Sequence, residues 1–334
     1  MLLLAVFQIL HQPPQPPPSD FTKRAHTYSI VAYDSVTGDL GIAVQSKFPN
    51  VGGLVPWAKA GVGAVATQAL SNTDYGEKGL ELLAEGATAP EAMRIIMRSD
   101  QRPSQRQVGM VDAHGNAASW TGDSTFDWAG GRTGGRADGR MGGKGQLIVG
   151  HGYAAQANIM VSDATVRNMA ETFERSQGSL ADRLIAALVA GQAGGGDKRG
   201  MQSAALLVVR AKGGYLGGTD RYIDIRVYDA PDPITELQRL YALHKLYFCT
   251  SDSADLVPIT PALQKELEAI LLVEPVNQAQ RWLDKPQGSL NQTFLTALAN
   301  FMYWENYDVR VRMDGKIDRI ALEDIRRNRK TARR

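Results

Sequence analysis

The sequence predicts an α+β fold, a four-layer αββα sandwich in which two antiparallel sheets stack face to face between layers of helices, followed by a small all-α domain. Three observations favour this architecture. The predicted elements run in the order strands, two helices, strands, two helices, strands, helix. Most predicted strands carry apolar residues on both faces, so both faces should be covered. From residue 258 onwards the apolar residues recur at helical spacing.

The chain is organised around its first predicted hairpin. Along residues 27–33 (TYSIVAY), Thr27, Ser29 and Val31 share one face of a strand, and the opposite face is apolar. Residues 35–39 (SVTGD) form the loop, in which glycine supplies the positive φ of the reversal. The second strand follows over 41–47. On spacing alone, Thr27 is a strand residue that suits β structure.

Two strands and two helices are expected next. Residues 51–68 mix β-branched residues with glycine and predict two short strands with a turn at 59–61. Leucines and methionines at helical spacing over 80–97 predict two helices, and Thr88 with Glu91 three residues later marks a capping box at the second. Strands follow at 107–111 and 117–121.

Residues 129–152 are dense in glycine, which loses much entropy when it is ordered. We expect a mobile surface insertion here. The alternative is an anion site formed by four cations of the segment, although no strand and helix flank it as a phosphate loop requires. These cations are Arg132, Arg136, Arg140 and Lys144.

Residues 153–160 predict a strand, and helices follow at 164–176 and from the Ser179 cap to the glycines at 194–196. The polar phrase 197–203 (DKRGMQS) leads into a nearly continuous apolar strand. Polar residues at such a junction are candidates for a site, and a plain loop with a capping aspartate is the alternative. A strand at 222–229 and a helix from Pro233 to Phe248 complete a domain spanning 25–249.

The C-terminal part is predicted to be a separate helical domain. Polar residues 250–257 form the linker, and 258–330 contain predicted helices at 260–272, 278–283 and 289–310 and after the turn at 314–315. A domain this small is near the size at which its own core suffices. We therefore expect it to dock on the main domain or on a partner, and the protein to form a homo-oligomer.

Composition argues against several functions. The 334 residues are 43% hydrophobic and carry a net charge of +2, which gives no reason to expect a nucleic-acid partner, although a basic tail closes the chain. The single cysteine, Cys249, excludes an internal disulfide and a cysteine metal cluster. Five scattered histidines argue against a zinc enzyme. We expect no metal and no cofactor, and we keep nucleic-acid binding through the Arg-Gly segment and the tail only as a third hypothesis.

Residues 1–24 are expected to precede the folded domain. The apolar run 1–10 is too short to span a bilayer, so no transmembrane span is predicted. It fits either a signal peptide (or a misassigned start) or a retained segment. Residues 12–18 (QPPQPPP) fit an extended spacer or a ligand of a proline-binding module. A signal peptide implies a periplasmic or secreted protein, and the lack of cysteine pairs is also compatible with the cytoplasm.

Four phrases of the sequence together resemble one family. They are TYSIVA at 27–32, VPWAKAGVGAVATQ at 55–68, GGDKRGMQSAALLV at 195–208 and DPI at 232–234. Over about 27–244 the chain resembles the prokaryotic domain of unknown function 1028, which is grouped with the N-terminal-nucleophile (Ntn) hydrolases. The tail from Pro258 resembles a peptidoglycan-binding domain that some members carry. The resemblance implies the αββα fold and a nucleophile at the head of the first hairpin, but no particular substrate.

The resemblance implies that Thr27 is the nucleophile once the chain has been cut before it. The freed amine, with an ordinary pKa of about 7.7–8.0, then takes the proton of its own hydroxyl, which attacks an amide carbonyl, and water resolves the acyl-enzyme. Lys47 or Lys59 would keep that amine neutral by like-charge repulsion. Ser29, on the same strand face, is the alternative nucleophile and would need a separate base.

Position along the resembling fold also implies the supporting residues. Backbone N–H groups around Thr67 and Gln68 are expected to form the oxyanion hole. Asn158, Asp197 and Ser203 are expected to give polar support to the substrate.

The sequence departs from the family in the segment 129–152 and at His26, since glycine or an initiator methionine before Thr27 would suit processing better. Two functions follow. The first is an amide hydrolase acting on a small or peptide-like substrate, related to the cell envelope in view of the tail. The second is a non-catalytic binding or scaffold protein that keeps the fold, remains uncut and holds peptidoglycan or another partner.

Overall fold

The computed structural model describes residues 27–134, 141–273, 275–277 and 280–332, and over these residues the chain is a mixed α+β protein with two large antiparallel sheets and eight helices. Predictions for residues 1–26, for Arg136 and Arg140, and for the last two residues of the basic tail lie outside the described residues.

Twelve strands and five helices are found in the part of the described chain that ends at Phe248. The strands are β1 (Thr27–Tyr33), β2 (Leu40–Ser46), β3 (Pro56–Lys59), β4 (Gly63–Ala69), β5 (Arg106–Asp112), β6 (Asn116–Thr121), β7 (Trp128–Thr133), β8 (Met141–Gly142), β9 (Gln146–His151), β10 (Tyr153–Met160), β11 (Ser203–Val209) and β12 (Arg221–Val227). The helices are α1 (Asp74–Ala84), α2 (Ala89–Ser99), α3 (Ala164–Arg175), α4 (Leu180–Ala193) and α5 (Pro233–Phe248).

The strands form two sheets in which all neighbouring pairs are antiparallel. The larger sheet has seven strands in the order β12-β11-β2-β1-β10-β7-β8, and the smaller has five in the order β3-β4-β5-β6-β9. Helices α3, α4 and α5 pack on one face of the larger sheet, and α1 and α2 on one face of the smaller. The remaining two faces pack against each other through small and β-branched side chains such as Val31, Val44 and Ala66.

Strand β1 lies near the middle of the larger sheet, between β2 and β10. Its alternation divides the side chains as predicted. Tyr28 and Ile30 pack in the core beneath the helices, and Val31 packs between the sheets. Thr27 and Ser29, which share the face of Val31, are therefore directed towards the smaller sheet.

Two predicted helix starts are confirmed by their hydrogen bonds. At α2, Thr88 N–H donates to Glu91 Oε2 at 2.9 Å. At α4, Asp182 N–H donates to Ser179 Oγ at 3.2 Å, and the Asp182 carboxylate accepts from Ser179. Each pair satisfies N–H groups that have no partner inside the helix.

The prediction of a mobile surface insertion over 129–152 is wrong for the described part of that segment, which supplies β7, β8 and β9 to the two sheets. The glycines of this segment allow its backbone to lie close to neighbouring side chains. A Cβ at Gly131 would lie 2.5 Å from Ser119 Oγ on the facing sheet, and one at Gly134 would lie 2.3 Å from the ring of Tyr153. Arg132 is engaged as well, since it forms ion pairs of 3.8 and 3.5 Å with Glu171 and Glu174 of α3.

The C-terminal part carries short strands and is not all-α. It contains β13 (Leu256–Pro258), α6 (Pro261–Leu271), β14 (Pro275–Asn277), β15 (Gln280–Arg281), α7 (Gln292–Trp304), β16 (Lys316–Asp318) and α8 (Arg319–Ala332). Strand β13 pairs with β16, and β14 pairs with β15 where a helix at 278–283 was predicted. Strands β13 and β16 are far apart in sequence, and local periodicity cannot predict that two such segments pair.

Helix α5 contributes to two cores. Leu237 and Tyr241 pack beneath the larger sheet, whereas Leu246 packs among the C-terminal helices. Buried Arg310 donates to the Leu246 carbonyl at 2.7 Å and pairs with Asp318. The packing of Leu246 and the hydrogen bond from Arg310 hold the last turn of α5 against the C-terminal part. The boundaries predicted at 249 and 258 stay predictions.

None of the helices in the described ranges has the length and apolarity needed to cross a membrane.

Candidate functional site

Four polar residues form one row across four neighbouring strands of the larger sheet, β11, β2, β1 and β10, at one end of these strands. Thr27 of β1 is the register partner of Ser46 on β2 and of Asn158 on β10, and Ser46 is the partner of Ser203 on β11. Directly opposed residues of an antiparallel pair point to the same face, so the row faces the smaller sheet. All four residues are buried. A polar row at this depth is held by hydrogen bonds, because an unpaired buried polar group is costly.

Thr27 opens onto a cavity of about 320 Å³ at the end of β1. Thr27 Oγ1 lies 3.0 Å from Ser46 Oγ, and both residues line the cavity. Its remaining lining is mainly apolar and comes from the segment after β2 and from the end of β4. These residues are Phe48, Val51, Leu54, Val55, Gln68, Ala69, Leu70 and Ser71.

Two side-chain amides hold the carbonyl of Thr27. Gln68 Nε2 donates to Thr27 O at 3.1 Å, and Asn158 Nδ2 donates to it at 3.3 Å. The same two nitrogens donate to Gln107 Oε1, at 2.8 and 2.9 Å. Gln107, on β5 of the facing sheet, is therefore the common acceptor for both groups that touch Thr27.

The orientation of Gln107 is dictated by its other neighbours. Its Nε2 donates to the carbonyls of Ala157 and Gly130, at 2.9 and 3.3 Å, and to Thr121 Oγ1 at 2.9 Å. Carbonyl oxygens only accept, so the NH₂ group must face them and the oxygen must face Gln68 and Asn158.

Ser29 belongs to the same network. Its hydroxyl donates to Gln68 Oε1 at 2.6 Å and accepts from Gln156 Nε2 at 2.6 Å. Ser29 is fully buried and is not among the residues that line the cavity. Ser29 therefore lies between two amides and away from the lining of the cavity.

The two amides that bond Thr27 are each followed by a residue in the left-handed region. Ala69, after Gln68, has φ 67°, and Ile159, after Asn158, has φ 59°. The β10–β7 register shifts between Asn158 and Met160, so Ile159 lies in a bulge. Positive φ at a β-branched residue is a genuine outlier. Such strain persists where surrounding structure enforces it, which is common beside functional sites.

Buried polar groups fix the loops of the cavity. Ser203 donates to Phe48 O and accepts from Val51 N–H at 3.2 Å, which holds the 48–51 segment. Thr67, predicted for the oxyanion hole, instead donates through Oγ1 to Asn72 O at 3.0 Å, while its N–H donates to Val55 O at 3.2 Å.

A buried ion pair supports the opposite wall. Arg106 contacts Asp100 at 2.8 Å and also donates to the carbonyl of Leu70, which lines the cavity. Burial raises the pKa of Asp100, but hydrogen bonds from Arg106 and Tyr75 outweigh it and hold that pKa well below its ordinary range. The Asp100 carboxylate thus fixes Arg106, which in turn fixes Leu70.

The predicted lysines are placed away from the cavity. Lys47 follows Ser46, but its Nζ donates to Met201 O at 3.0 Å and it is not a lining residue. Asp197 accepts from Lys47 N–H at 3.3 Å and from Arg199, so it supports the backbone next to Ser46. Lys59 is exposed at the far end of β3, where it pairs with Gly63 at the opposite end of β4 from Gln68. The structure does not bring Lys59 to the site.

Sequence reasoning missed Ser46 and Gln107, which both belong to this site. Both are polar positions in strands that are buried throughout. Polar residues in such strands were the available signal, whereas Gln68 and Asn158 were selected from their position along the resembling fold.

Comparisons with known proteins agree with this fold. The model of a family described as "Family of unknown function (DUF1028)" matches residues 27–237. A crystal structure of protein SPO2555 from Silicibacter pomeroyi, which carries the same family model, is similar with a TM-score of 0.56 and 28% sequence identity, over 69% of this chain and 92% of that one. No curated protein matches the sequence.

Proposed function

The chain belongs to the DUF1028 family, and from that premise we propose that it is an N-terminal-nucleophile amide hydrolase with a four-layer αββα fold, in which Thr27 is the nucleophile after removal of the residues before it. The observation that carries the proposal is the position of Thr27. Its side chain lines a cavity at the first residue of a central strand, and its carbonyl is held by two buried amides. A nucleophile must be fixed to this degree for efficient attack.

The reaction uses groups that Thr27 itself supplies. Cleavage before Thr27 frees an α-amine, which in its neutral form takes the proton from Oγ1. Oγ1 then forms a bond to the carbonyl carbon of an amide substrate, the carbon–nitrogen bond breaks, and the leaving amine carries the proton away. Water attacks the ester at Oγ1 and releases the acid. Ser46 Oγ, 3.0 Å from Oγ1, is placed to pass a proton or to orient the hydroxyl.

The oxyanion hole is assigned to the end of β4. Thr67 N–H is engaged with Val55 O, and Leu70 N–H with Gln105 O on the β5 side. Since N–H groups alternate in direction along a strand, Ala69 N–H points to the side of Val55, where β3 has not yet begun. Ala69 lines the cavity. We therefore place the developing negative charge at Ala69 N–H rather than at Thr67.

The cavity points to a small acyl group as substrate. Its volume of about 320 Å³ is at the lower end of ligand sites, and most of its walls are aliphatic or aromatic side chains from 48–55 and Leu70. Charged residues are absent from the described lining. A compact, uncharged acyl group on an amide or a short peptide fits these walls.

The proposed location of the protein is the periplasm or the exterior of the cell.

The first test is intact-mass spectrometry of the protein purified from its native host. A chain that begins at Thr27 is required for the chemistry, because an internal threonine has no basic nitrogen. The same sample is then treated with a small β-lactone, which should add one acyl group at Thr27, located by peptide mapping. A chain that retains His26 and is not acylated would refute the proposal that the protein is a hydrolase.

One observation favours a second function, that of a non-catalytic binding protein. The C-terminal part contains a cavity of about 870 Å³, much larger than the one at Thr27, and lies beyond the family match, which ends at 237. A binding protein would keep His26 and would hold peptidoglycan or another partner through that part. The mass measurement separates the two functions.

A further inference from the structure

We propose that the C-terminal cavity binds a ligand that carries a primary ammonium group on an aliphatic body, with Glu268 as the group that accepts the ammonium. This inference does not depend on the chemistry at Thr27. It rests on the position of one buried carboxylate, that of Glu268, in the wall of a large and mainly apolar cavity.

The cavity lies between α6 and the segment that precedes α7. Its volume of about 870 Å³ is sufficient for a ligand well beyond the size of a solvent molecule. Apolar walls come from Ile259, Leu272, Pro286 and Leu290. Such walls favour an aliphatic body, since removing apolar surface from water is favourable.

Glu268 is the acidic residue of this cavity, and only 6% of it is exposed. Three donors converge on one of its oxygens. Oε1 accepts from Gln264 Nε2 at 2.9 Å and from the backbone N–H groups of Gln287 and Gly288, at 3.0 and 3.3 Å. Because Oε1 is saturated and its donors hold the side chain in place, the second oxygen, Oε2, is the one available for a ligand.

No cation of the described residues pairs with Glu268. Lys265 lines the same cavity, but it forms no ion pair with Glu268 in the described part of the chain. The three donors to Oε1 lower the cost of burying this carboxylate, but its negative charge has no cationic partner among the described residues. A ligand ammonium would supply that partner.

The site favours a primary ammonium over a quaternary one. Gln264 turns its Nε2 towards Glu268. Its Oε1 therefore adds a second acceptor, which receives no hydrogen bond from the described residues. A primary ammonium has three N–H donors for two acceptors, whereas a trimethylammonium group has none.

The test is calorimetric titration of the whole protein at pH 7 with n-hexylamine, 1-hexanol and n-hexyltrimethylammonium. We expect saturable binding of the amine, at least tenfold weaker binding of the alcohol, and weak binding of the quaternary ion. Equal affinities for amine and alcohol, or no saturation by 20 mM amine, a range in which millimolar sites are readily detected, would overturn the proposal.

Two variants on the same helix locate the effect. Glu268→Gln keeps the Oε1 acceptor for its three donors but removes the charge, and it should weaken amine binding at least tenfold. Glu266→Gln is the matched control, since Glu266 instead pairs with Arg326 at 2.7 Å and does not line this cavity. It should change the affinity less than twofold. Unchanged binding by Glu268→Gln, with a melting temperature like the wild type, would contradict the assignment of Glu268.

Discussion

Gln107 Oε1 accepts a 2.8 Å hydrogen bond from Gln68 Nε2, and that bond turns the Gln68 amide so that its nitrogen also reaches the Thr27 carbonyl. Gln107 itself does not contact Thr27 through any hydrogen bond in the described part of the chain. It is therefore a positioning residue, which acts on the proposed nucleophile through a neighbour. Its own orientation is fixed in turn by backbone carbonyls, which cannot rotate.

Replacement of Gln107 by leucine should destabilise the protein and slow acylation. The change removes one hydrogen-bond partner from each of Gln68, Asn158, Thr121 and the carbonyls of Ala157 and Gly130. Each lost hydrogen bond costs about 1 kcal/mol, so we expect the free energy of unfolding to fall by about 3 kcal/mol or more. Urea unfolding measures it. Exposed Gln101→Leu is the control and should change it by less than about 0.5 kcal/mol. An effect of similar size in both variants would contradict the network.

In processed protein, Thr27→Ala should abolish labelling by the β-lactone, because the attacking oxygen is gone. Thr27→Ser should retain it, since the serine hydroxyl and the freed amine support the same chemistry. The measurement is the mass of the adduct, made on chains shown to begin at residue 27. Ser29→Ala is the informative comparison, and labelling that is lost in Ser29→Ala but kept in Thr27→Ala would transfer the nucleophile to Ser29.

The Asp100–Arg106 pair predicts an acid-dependent loss of stability. The folded pKa of Asp100 lies below its unfolded value of about 3.9. Its contribution is therefore present above pH 4 and is lost as the pH falls through the folded pKa. Asp100→Asn should lower the free energy of unfolding at pH 7 by about 2 kcal/mol, and the difference from wild type should shrink towards pH 2. Exposed Asp123→Asn serves as the control. A difference that stays constant with pH would refute the linkage.

Gly131→Ala should destabilise the protein, because its Cβ would lie 2.5 Å from Ser119 Oγ and 3.1 Å from Ala155 O between the two sheets. We expect a loss of about 1–3 kcal/mol from such overpacking. Gly143→Ala is the matched control in the same segment, since nothing lies within 4 Å of its added Cβ. The melting temperatures of both variants, measured by thermal unfolding, test this expectation. Equal melting temperatures would restore the view of 129–152 as a loose insertion.

Much of the fold was readable from local signals. The alternation of β1, the capping boxes at Thr88 and Ser179, and the helix from Pro233 each depend on residues a few positions apart, and the structure has them where the sequence predicted. The glycines of 129–134 could not be read in this way. Glycine indicates flexibility when it is considered alone, and only the facing sheet reveals that Gly131 allows a close approach.

The candidate site was predictable in part for the same reason. Thr27, Gln68 and Asn158 were selected from position along the chain, and the structure brings all three together. Lys59 was selected by charge and lies at the wrong end of its hairpin. Gln107 and Ser46 join the site through cross-sheet contacts and strand register, which one sequence does not show. Whether these residues act as proposed stays a prediction.

The hydrogen-bonded interior around Thr27 is assembled from carboxamides and hydroxyls, namely those of Ser29, Ser46, Gln68, Gln107 and Asn158. Groups of these two kinds neither gain nor lose a proton across the range in which proteins function. The network can therefore orient the nucleophile without adding an ionisation of its own. If the acylation rate rises with pH through a single midpoint, that midpoint would then be the pKa of the terminal amine. The surrounding side chains would not contribute to the pH dependence of the rate.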